Sequence, residues 1–364
     1  MKCKDFFREF ESRVPVSVQE SYDNCGLQIG NPDNEISGIL YSLDVTMQAV
    51  DLAVSGNCNL IISHHPFIFG GLRNINLANN TGKIIEKCLK ENLVIYSAHT
   101  NFDKSPFGVS ASLANILELS DVSVLDSVEG KLKKLVTFCP EAQSNALRNA
   151  LFEAGTGYIG NYDSCSFNVS GFGTFRAGEN ANPFVGEKGA VHHEPEIRIE
   201  TVFPVWNQTA VLSALFAFHP YEEVAFDIYN LENSWNGYGL GSVGVLKNPL
   251  DPSAFLDKIK SALKIKHLRH GRLLPDRITR VAVCGGAGAS LISKAIQSGA
   301  QAYVTADLKY HDFQAADGRI LLIDAGHFET EIFALSALKS LVSEILPNFA
   351  PQIISPESNW VNTV

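Results

Sequence analysis

Apolar residues follow strand and helix patterns in turn through both terminal parts of the chain. Predicted strands are short apolar runs bounded by turn residues, and predicted helices carry apolar residues on one face. The first part contains a helix through Phe6, Phe10 and Val14, strands over 38–44, 59–63 and 93–97, and helices over 46–53 and 81–90. The last part contains strands over 280–284, 302–305 and 320–324 and a terminal helix with Ile332, Leu335, Leu338, Leu341 and Ile345 on one stripe. This alternation favours an α/β fold with a parallel sheet.

The middle of the chain has a different pattern. Its predicted order is a strand over 130–138, a helix over 142–153, a Gly-, Asn- and Ser-rich stretch of hairpins and loops over 155–189, a strand over 197–202, a helix over 207–217 and a strand over 224–231. This is the strand and helix order of a ferredoxin-like α+β domain. Residues 237–241 (GYGLG) are typical of a flexible return. We therefore predict a split α/β domain, residues 1–125 and 236–364, with residues 126–235 inserted in it.

Length, charge and cysteine usage limit the class of protein. A chain of 364 residues predicts two or three domains, and 45% hydrophobic with 19% charged residues is typical of a globular protein. We expect no membrane span and no secretory signal, because apolar runs are short and the N-terminus alternates charge. A net charge of −10 disfavours nucleic-acid binding. Seven scattered cysteines predict a reducing, cytoplasmic location.

Histidines and carboxylates are concentrated where the predicted strands of the split domain end. His64 and His65 end the run at 59–63 and precede Pro66. The ends of the other strands carry Asp44, His99, Asp103, Asp307, His311, Asp324 and His327, so five of the ten histidines are involved. Parallel strands present their carboxyl ends at one edge, so these side chains are expected to lie together. Glu331 follows His327 by four residues, which stacks both on one helix face.

Nitrogen and oxygen ligands without cysteine suit zinc, iron, manganese or cobalt. We predict two metal ions bridged by Glu331, because a bridging carboxylate holds such a pair about 3.5–4 Å apart. His64 and His65 divide between the ions, Asp103 completes one and His327 the other. Such a site lowers the pKa of bound water and supplies hydroxide at neutral pH. His99, Asp307 and His311 are left to orient the ligands or transfer protons.

Each of these residues also has a structural alternative. Asp103 and Asp307 are residue types that cap helices, and His327 with Glu331 could be an ion pair at a helix start. Asp44 is more typical of a turn or cap than of a ligand.

Three further stretches carry residues of chemical interest. The loop at 285–288 favours a tight strand-to-helix turn over a phosphate cradle, because it lacks the G-x-G-x-x-G spacing and any Lys. Residues 219–223 (HPYEE) favour a turn between helix and strand, and His192 with His193 favour an exposed loop pair.

Several motifs together resemble the Nif-three-like dinuclear-metal proteins, the family commonly labelled GTP cyclohydrolase 1 type 2 homologues. The matching stretches are residues 22–28, 63–66, 97–103, 284–288, 305–311 and 324–331. The middle resembles the PII-like or CutA-like insertion of longer members at residues 158–163, 171–175 and 219–223. Tyr22 stands where the family usually has Trp, and Ala306 where Gly is common; neither is a ligand position.

The resemblance has implications for the site, the assembly and the activity. It places the metal ligands at His64, His65, Asp103, His327 and Glu331, and it implies a toroidal homohexamer, a trimer of dimers. It also implies a metal-dependent hydrolase in which metal-bound hydroxide opens the guanine ring of GTP or a related nucleotide. An acidic chain needs local Lys or Arg to hold GTP, and Lys309, Arg269 and Arg272 are the candidates in this sequence. The alternatives are phosphoester or amide hydrolysis on the same metals, and a regulatory protein whose insertion senses a ligand.

Overall fold

The computed structural model describes residues 1–356 and 359–362, apart from the side chain of Asn236. The chain forms two compact units, Met1–Ser127 with Gly237–Val364, and Val128–Asn236. The α/β fold with an inserted domain is therefore confirmed.

The first part of the larger unit contains five helices and five strands. The helices are α1 (Cys3–Arg13), α2 (Met47–Ser55), α3 (Asn80–Lys90), α4 (Thr100–Asp103) and α5 (Val109–Ile116). The strands are β1 (Gly26–Ile29), β2 (Ile39–Ser42), β3 (Leu60–Ser63), β4 (Val94–Ser97) and β5 (Leu119–Val128). Thr46 caps α2 by accepting a hydrogen bond from the Ala49 N–H at 3.1 Å. The predicted strands β2, β3 and β4 are buried along their whole length, as strands of a covered parallel sheet are.

The inserted unit has the predicted ferredoxin-like order. Its elements are β6 (Leu132–Pro140), α6 (Glu141–Glu153), β7 (Phe167–Arg176), β8 (Val191–Pro204), α7 (Gln208–Phe218) and β9 (Phe226–Leu231). They form one antiparallel sheet in the order β7-β8-β6-β9. The stretch 155–189, predicted to form hairpins and loops, contains the ten-residue strand β7, which pairs antiparallel with β8. Its Gly, Asn and Ser residues gave no indication of where that strand begins and ends.

The second part of the larger unit completes the chain. Its strands are β10 (Trp235–Leu250), β11 (Arg269–His270), β12 (Ile278–Ala287), β13 (Ala302–Ala306), β14 (Leu321–Asp324) and β15 (Gln352–Ile354). Its helices are α8 (Pro252–Leu263), α9 (Ile292–Gln297), α10 (Tyr310–Ala316), α11 (His327–Glu331) and α12 (Ala334–Ile345). The predicted terminal helix is thus two helices, with Ile332 and Phe333 between them.

The chain returns to the larger unit at Gly237, as predicted, but residues 237–241 lie within β10, so the prediction that this return is flexible is wrong. The glycines there serve close packing instead. A Cβ on Gly239 would meet the Asp126 carbonyl oxygen at 2.1 Å, and one on Gly241 would lie 3.1 Å from Leu125. The glycines at 239 and 241 therefore allow β10 to lie close to β5.

Two mixed sheets carry the larger unit. One has the order β1-β4-β3-β2-β15, in which β4, β3, β2 and β15 are parallel and β1 is antiparallel. The other has the order β11-β14-β13-β12-β10-β5, in which β14, β13 and β12 are parallel. Strand β15 joins the first sheet and β5 the second, so each part of the unit supplies a strand to the other part's sheet. The parallel strands β2, β3 and β4 end at one edge, and so do β12, β13 and β14.

Helices cover both faces of the first sheet. Helices α1 and α12 pack on one face, where Phe6, Phe10 and Leu338 are buried and Phe7 stacks on Tyr96 with ring centroids 4.6 Å apart. Helices α2 and α3 cover the other face. Among the described residues, no helix has the length and apolar character to cross a membrane.

Candidate metal centre

Two adjacent histidines at the end of β3 point into one site. The backbone N–H groups of His64 and His65 donate to the carbonyl oxygens of Ser42 and Leu43, each at 2.9 Å, and so extend the pairing of β3 with β2. The His65 Nε2 lies 3.1 Å from Glu331 Oε2, and the His64 Nε2 lies 3.8 Å from Glu331 Oε1. The two imidazoles therefore approach different oxygens of one carboxylate.

Glu331 lies at the centre of the site and is only 4% exposed. The predicted spacing of four residues on α11 brings the His327 Nε2 to 3.0 Å from Glu331 Oε2. His65 and His327 thus share that oxygen, while Oε1 faces His64. Asp103, the last residue of α4, approaches from the other side, with Oδ1 3.7 Å from the His64 Nε2. The structure therefore brings together all five of the predicted ligand residues.

The His64 Nε2 has no hydrogen-bond partner in the described part of the chain, although it is buried. Its other nitrogen, Nδ1, lies 2.9 Å from the Ala98 carbonyl oxygen, which can only accept, so Nδ1 carries the proton when the ring is neutral. Nε2 is then a lone pair facing two carboxylates that are too distant for hydrogen bonds. An unpaired buried nitrogen is unfavourable in a closed core but is what a metal ligand requires.

The donor set fits a transition metal. Two overlapping groups of side chains could hold an ion, His65 with His327 and Glu331, and His64 with His65 and His99. His65 belongs to both groups, and Asp103 belongs to neither. Imidazole nitrogens and carboxylate oxygens of this kind suit zinc, iron and manganese.

Three carboxylates fix the orientation of the histidine rings. Asp44 Oδ1 lies 2.9 Å from the His65 Nδ1, Asp307 Oδ2 lies 2.7 Å from the His327 Nδ1, and Asp23 lies 2.9 Å from the His99 Nδ1. Carboxylates in this position set the tautomer of metal-binding histidines, leaving Nε2 free to bind. The preference for Asp44 as a turn or cap residue missed this contact. Asp23 was not singled out, although it lies in the stretch 22–28 that supports the family resemblance.

Asp307 adopts a left-handed backbone conformation, with φ of 56°. Aspartate is one of the few residues other than glycine that tolerates this region. The residue before helix α10 is Lys309, so the alternative that Asp307 is the helix cap is wrong. The carboxylate reaches His327 instead.

The charges of the site are strongly coupled. Burial lowers the pKa of His65, but Asp44 and Glu331 outweigh it and raise the pKa to about 10. The hydrogen bond to Glu331 raises the pKa of His327 to about 9. Burial raises the pKa of Glu331, but the imidazoles hold it well below its usual range. Burial raises the pKa of Asp103. Without metal, protons occupy the positions where ions would bind.

We expect metal binding to release protons. At about pH 7.5, His65 and His327 are protonated without metal, because their pKa values of about 10 and 9 lie above that pH, and both must be neutral to bind. Burial lowers the pKa of His64, but Asp103 and Glu331 outweigh burial and raise it, so His64 can add to the release. Calorimetry of Zn²⁺ binding in buffers of different ionisation enthalpy should therefore give at least about two protons released per chain. Affinity should rise with pH up to about pH 9–10 and then level off. Binding without proton release at about pH 7.5 would show that these histidines are not ligands.

The end of β12 and Gly288, residues 285–288, approach the central carboxylate. Gly286 has φ of +60°, and a Cβ there would lie 2.1 Å from Glu331 Oε1. The Gly286 N–H donates to Thr330 Oγ1 at 3.0 Å, and the Thr305 hydroxyl donates to the Gly286 carbonyl at 3.0 Å. Residues 285–287 are the last residues of β12, so the predicted tight turn is confined to Gly288, which precedes a short 3-10 turn at 289–291 and then α9. Gly286 leaves room for Glu331, a role that sequence reasoning missed.

The other candidate residues contact partners outside the set of five ligand candidates. His311 on α10 contacts Gln314 at 3.1 Å and Tyr310, and within the described residues none of its hydrogen bonds reaches the five ligand candidates. Arg269 pairs with Asp324 and donates to the Leu308 carbonyl at 2.8 Å, while Arg272 lies 3.3 Å from Asp317.

The inserted unit settles two local predictions. His192 and His193 lie on β8, so the loop prediction is wrong; both pair with β7, the strand that the sequence pattern hid. His219 is in the predicted turn, with Nε2 2.9 Å from the Phe138 carbonyl oxygen. All seven cysteines are free.

Comparison with known proteins identifies relatives along the whole chain. The Bacillus subtilis protein called GTP cyclohydrolase 1 type 2 homolog is 39% identical over 338 residues, 92% of this chain and 90% of its own length. A Staphylococcus aureus protein of the same name is 33% identical over 366 residues, covering 100% of this chain and 98% of its own. A crystal structure of a Bacillus cereus protein related to NIF3 superposes with a TM-score of 0.88 at 35% identity, covering 100% of this chain and 99% of that one.

The sequence profile of the Duf34/NIF3 (NGG1p interacting factor 3) family matches residues 1–359. The match covers both parts of the split domain and the insertion, and it agrees with the resemblance drawn from the motifs. The chain belongs to the DUF34/NIF3 family.

Proposed function

We propose that the chain binds two divalent metal ions through His64, His65, Asp103, His327 and Glu331 and acts as a metal-dependent hydrolase. The observation that carries the proposal is the buried, unpaired His64 Nε2, which faces Asp103 and Glu331 at 3.7 and 3.8 Å. His64 with Asp103 would hold one ion, and His65 with His327 the other, with Glu331 between them. Ions so placed would activate a water molecule for attack and polarise the substrate.

The surrounding side chains hold and orient this set. Asp44 and Asp307 keep the Nδ1 atoms of His65 and His327 protonated, so each ring presents Nε2 to the site. His99 is held by Asp23 in the same way, and its ring centre lies 5.2 Å from that of His64. With its Nδ1 proton directed to Asp23, His99 has an Nε2 free to accept a proton from substrate or water. We therefore assign proton transfer to His99 ahead of His311.

GTP or a related nucleotide is the proposed substrate. Support comes from the relatives named GTP cyclohydrolase 1 type 2 homolog and from the chemistry of a hydrolytic site. Lys309 is exposed two residues after Asp307, where its ammonium is available to a phosphate. Arg269 and Arg272 already pair with aspartates.

The test is GTP consumption by protein loaded with Zn²⁺, Fe²⁺ or Mn²⁺, with metal content measured on the same samples. We expect a ring-opened or formate-releasing product from wild type and none from His64→Ala. The matched control is His267→Ala, an exposed histidine of the same unit, which should keep full activity. If fully metallated wild type leaves GTP unchanged, the proposed substrate is wrong, and other phosphoester or amide substrates become the next to test.

Two wider proposals concern assembly, which the family resemblance supports, and location, which the cysteine usage supports. We propose assembly into a homohexamer, a trimer of dimers, with the metal sites facing an internal cavity. The seven free cysteines are compatible with the proposed cytoplasmic location.

A further inference from the structure

The inserted unit contains a cavity of about 610 Å³. Its floor is the sheet face formed by β6, β7 and β8, and its other walls come from residues 181–184 and 221–225. Five aromatic residues border it, namely Phe138, Phe172, Phe175, Phe184 and Tyr221. This volume and this apolar lining are typical of small-molecule sites.

Two glycines of β7 make room for the cavity. Gly171 pairs with Glu196 on β8, and a Cβ on Gly171 would meet nothing within 4 Å, so its missing side chain leaves the floor open. A Cβ on Gly173 would lie 2.0 Å from Glu196 Oε2. Glycine at 173 therefore allows the carboxylate to occupy this place in the floor.

Glu196 is a buried carboxylate at the cavity wall, only 9% exposed. The Tyr221 hydroxyl donates to Oε1 at 2.7 Å, while Oε2 makes no hydrogen bond to any residue that the structure describes. Burial and the contact with Glu196 raise the pKa of Tyr221, so its hydroxyl remains a donor. A buried carboxylate with no cationic partner is costly unless a positive charge comes from elsewhere.

The basic side chain that lines the cavity is already engaged. Arg198 lies over the Phe138 ring, 5.9 Å from its centroid, and its Nε is 2.9 Å from Glu200 Oε1. Glu222 and Glu223 also line the cavity, so carboxylates outnumber basic groups there. This balance disfavours an anionic ligand such as a nucleotide or a carboxylic acid.

We propose that this cavity binds a small organic cation, an ammonium or amidinium group on an apolar body. Its charge pairs with Glu196, and its body packs among the aromatic rings, which attract cations through their faces. The site is separate from the metal centre, since every residue that lines it belongs to the inserted unit. Its test is therefore independent of metal loading and of the proposed hydrolase activity.

Calorimetric titration of the full chain with benzyltrimethylammonium tests this proposal, with phenylacetate as an anion of similar size. We expect wild type to bind the cation at least about tenfold more tightly than the anion. Glu196→Gln should remove this preference by weakening cation binding about tenfold or more, because the amide keeps the shape but not the charge. Glu153→Gln, the same charge change at the end of α6 and outside the cavity lining, should bind like wild type.

A second variant tests the cavity itself. Gly171→Val places a side chain in open space on a strand with ordinary backbone angles, so the unit should fold with an unchanged Tm while binding of the cation is lost. Equal affinity for both probes, no saturable binding of the cation, or unchanged cation affinity in either Glu196→Gln or a folded Gly171→Val would overturn the proposal.

Discussion

The Glu331→Gln variant should lose both metal ions. The two carboxylate oxygens of Glu331 now face different histidines: Oε1 faces His64, and Oε2 faces His65 and His327. An amide has one oxygen and one N–H₂ group, so it can offer a metal ligand at only one of these two positions. Loss of a supporting residue alone costs a metal site about 10–100-fold in affinity, and loss of the bridge should exceed that. Metal content after dialysis, measured by mass spectrometry, should fall from two ions per chain to fewer than about 0.2. Hydrolytic activity should disappear with it.

The control for this prediction lies two residues away on the same helix. Glu329 accepts a hydrogen bond from the Asn359 side chain at 2.8 Å, and none of its described ion pairs or hydrogen bonds reaches the histidines. Glu329→Gln should therefore keep wild-type metal content. If Glu331→Gln also retained two ions, a bridging role for Glu331 would be untenable.

The second large effect is expected from Gly286→Ala. The added methyl group would lie 2.1 Å from Glu331 Oε1, so the carboxylate must move or the loop must shift. We expect metal affinity to fall about 10–100-fold, as when the support of a ligand is lost. The left-handed φ of +60° adds a loss of about 1–2 kcal/mol in the free energy of unfolding. Metal titration and denaturant unfolding measure the two effects separately.

Gly299→Ala separates backbone strain from contact with the site. Gly299 has φ of +77°, but a Cβ there would meet nothing within 4 Å. Its alanine variant should show a similar loss of stability with unchanged metal affinity. Equal metal affinity in both variants would mean that Gly286 does not leave room for Glu331.

The sequence predicted the parts of the site that depend on local periodicity. The buried strand before His64 and His65 follows from a continuous apolar run, and the pairing of His327 with Glu331 follows from helical spacing. That these two pairs meet follows less directly, since 266 residues separate His65 from Glu331. The prediction depended on the general rule that parallel strands end at one edge.

The supporting carboxylates were harder to foresee. Asp23 follows no predicted strand, and Asp44 is a residue type common in turns, so only the folded chain shows that they hold His99 and His65. The tetrapeptide G-G-A-G at 285–288 indicated a turn but could not show which side chain it would face.

Two glycine-rich segments of the sequence were not predicted as strands. Residues 167–176 were predicted only as part of a stretch of hairpins and loops, and residues 237–241 as a flexible return, yet both belong to long strands. In β10 the glycines allow close contact with neighbouring chain, and in β7 they leave room for the cavity and for Glu196. The glycine content of a segment shows that side chains are missing there. It does not show whether a neighbouring strand or a cavity occupies the space that they leave.

The central claim is that two metal ions share Glu331. Anomalous diffraction from crystals of the metal-loaded chain tests it most directly, with data collected at the absorption edge of the bound metal. We predict two peaks about 3.5–4 Å apart, one beside His64 and Asp103 and the other beside His65 and His327, with a Glu331 oxygen at each. A single peak, or peaks that Glu331 does not bridge, would contradict the account.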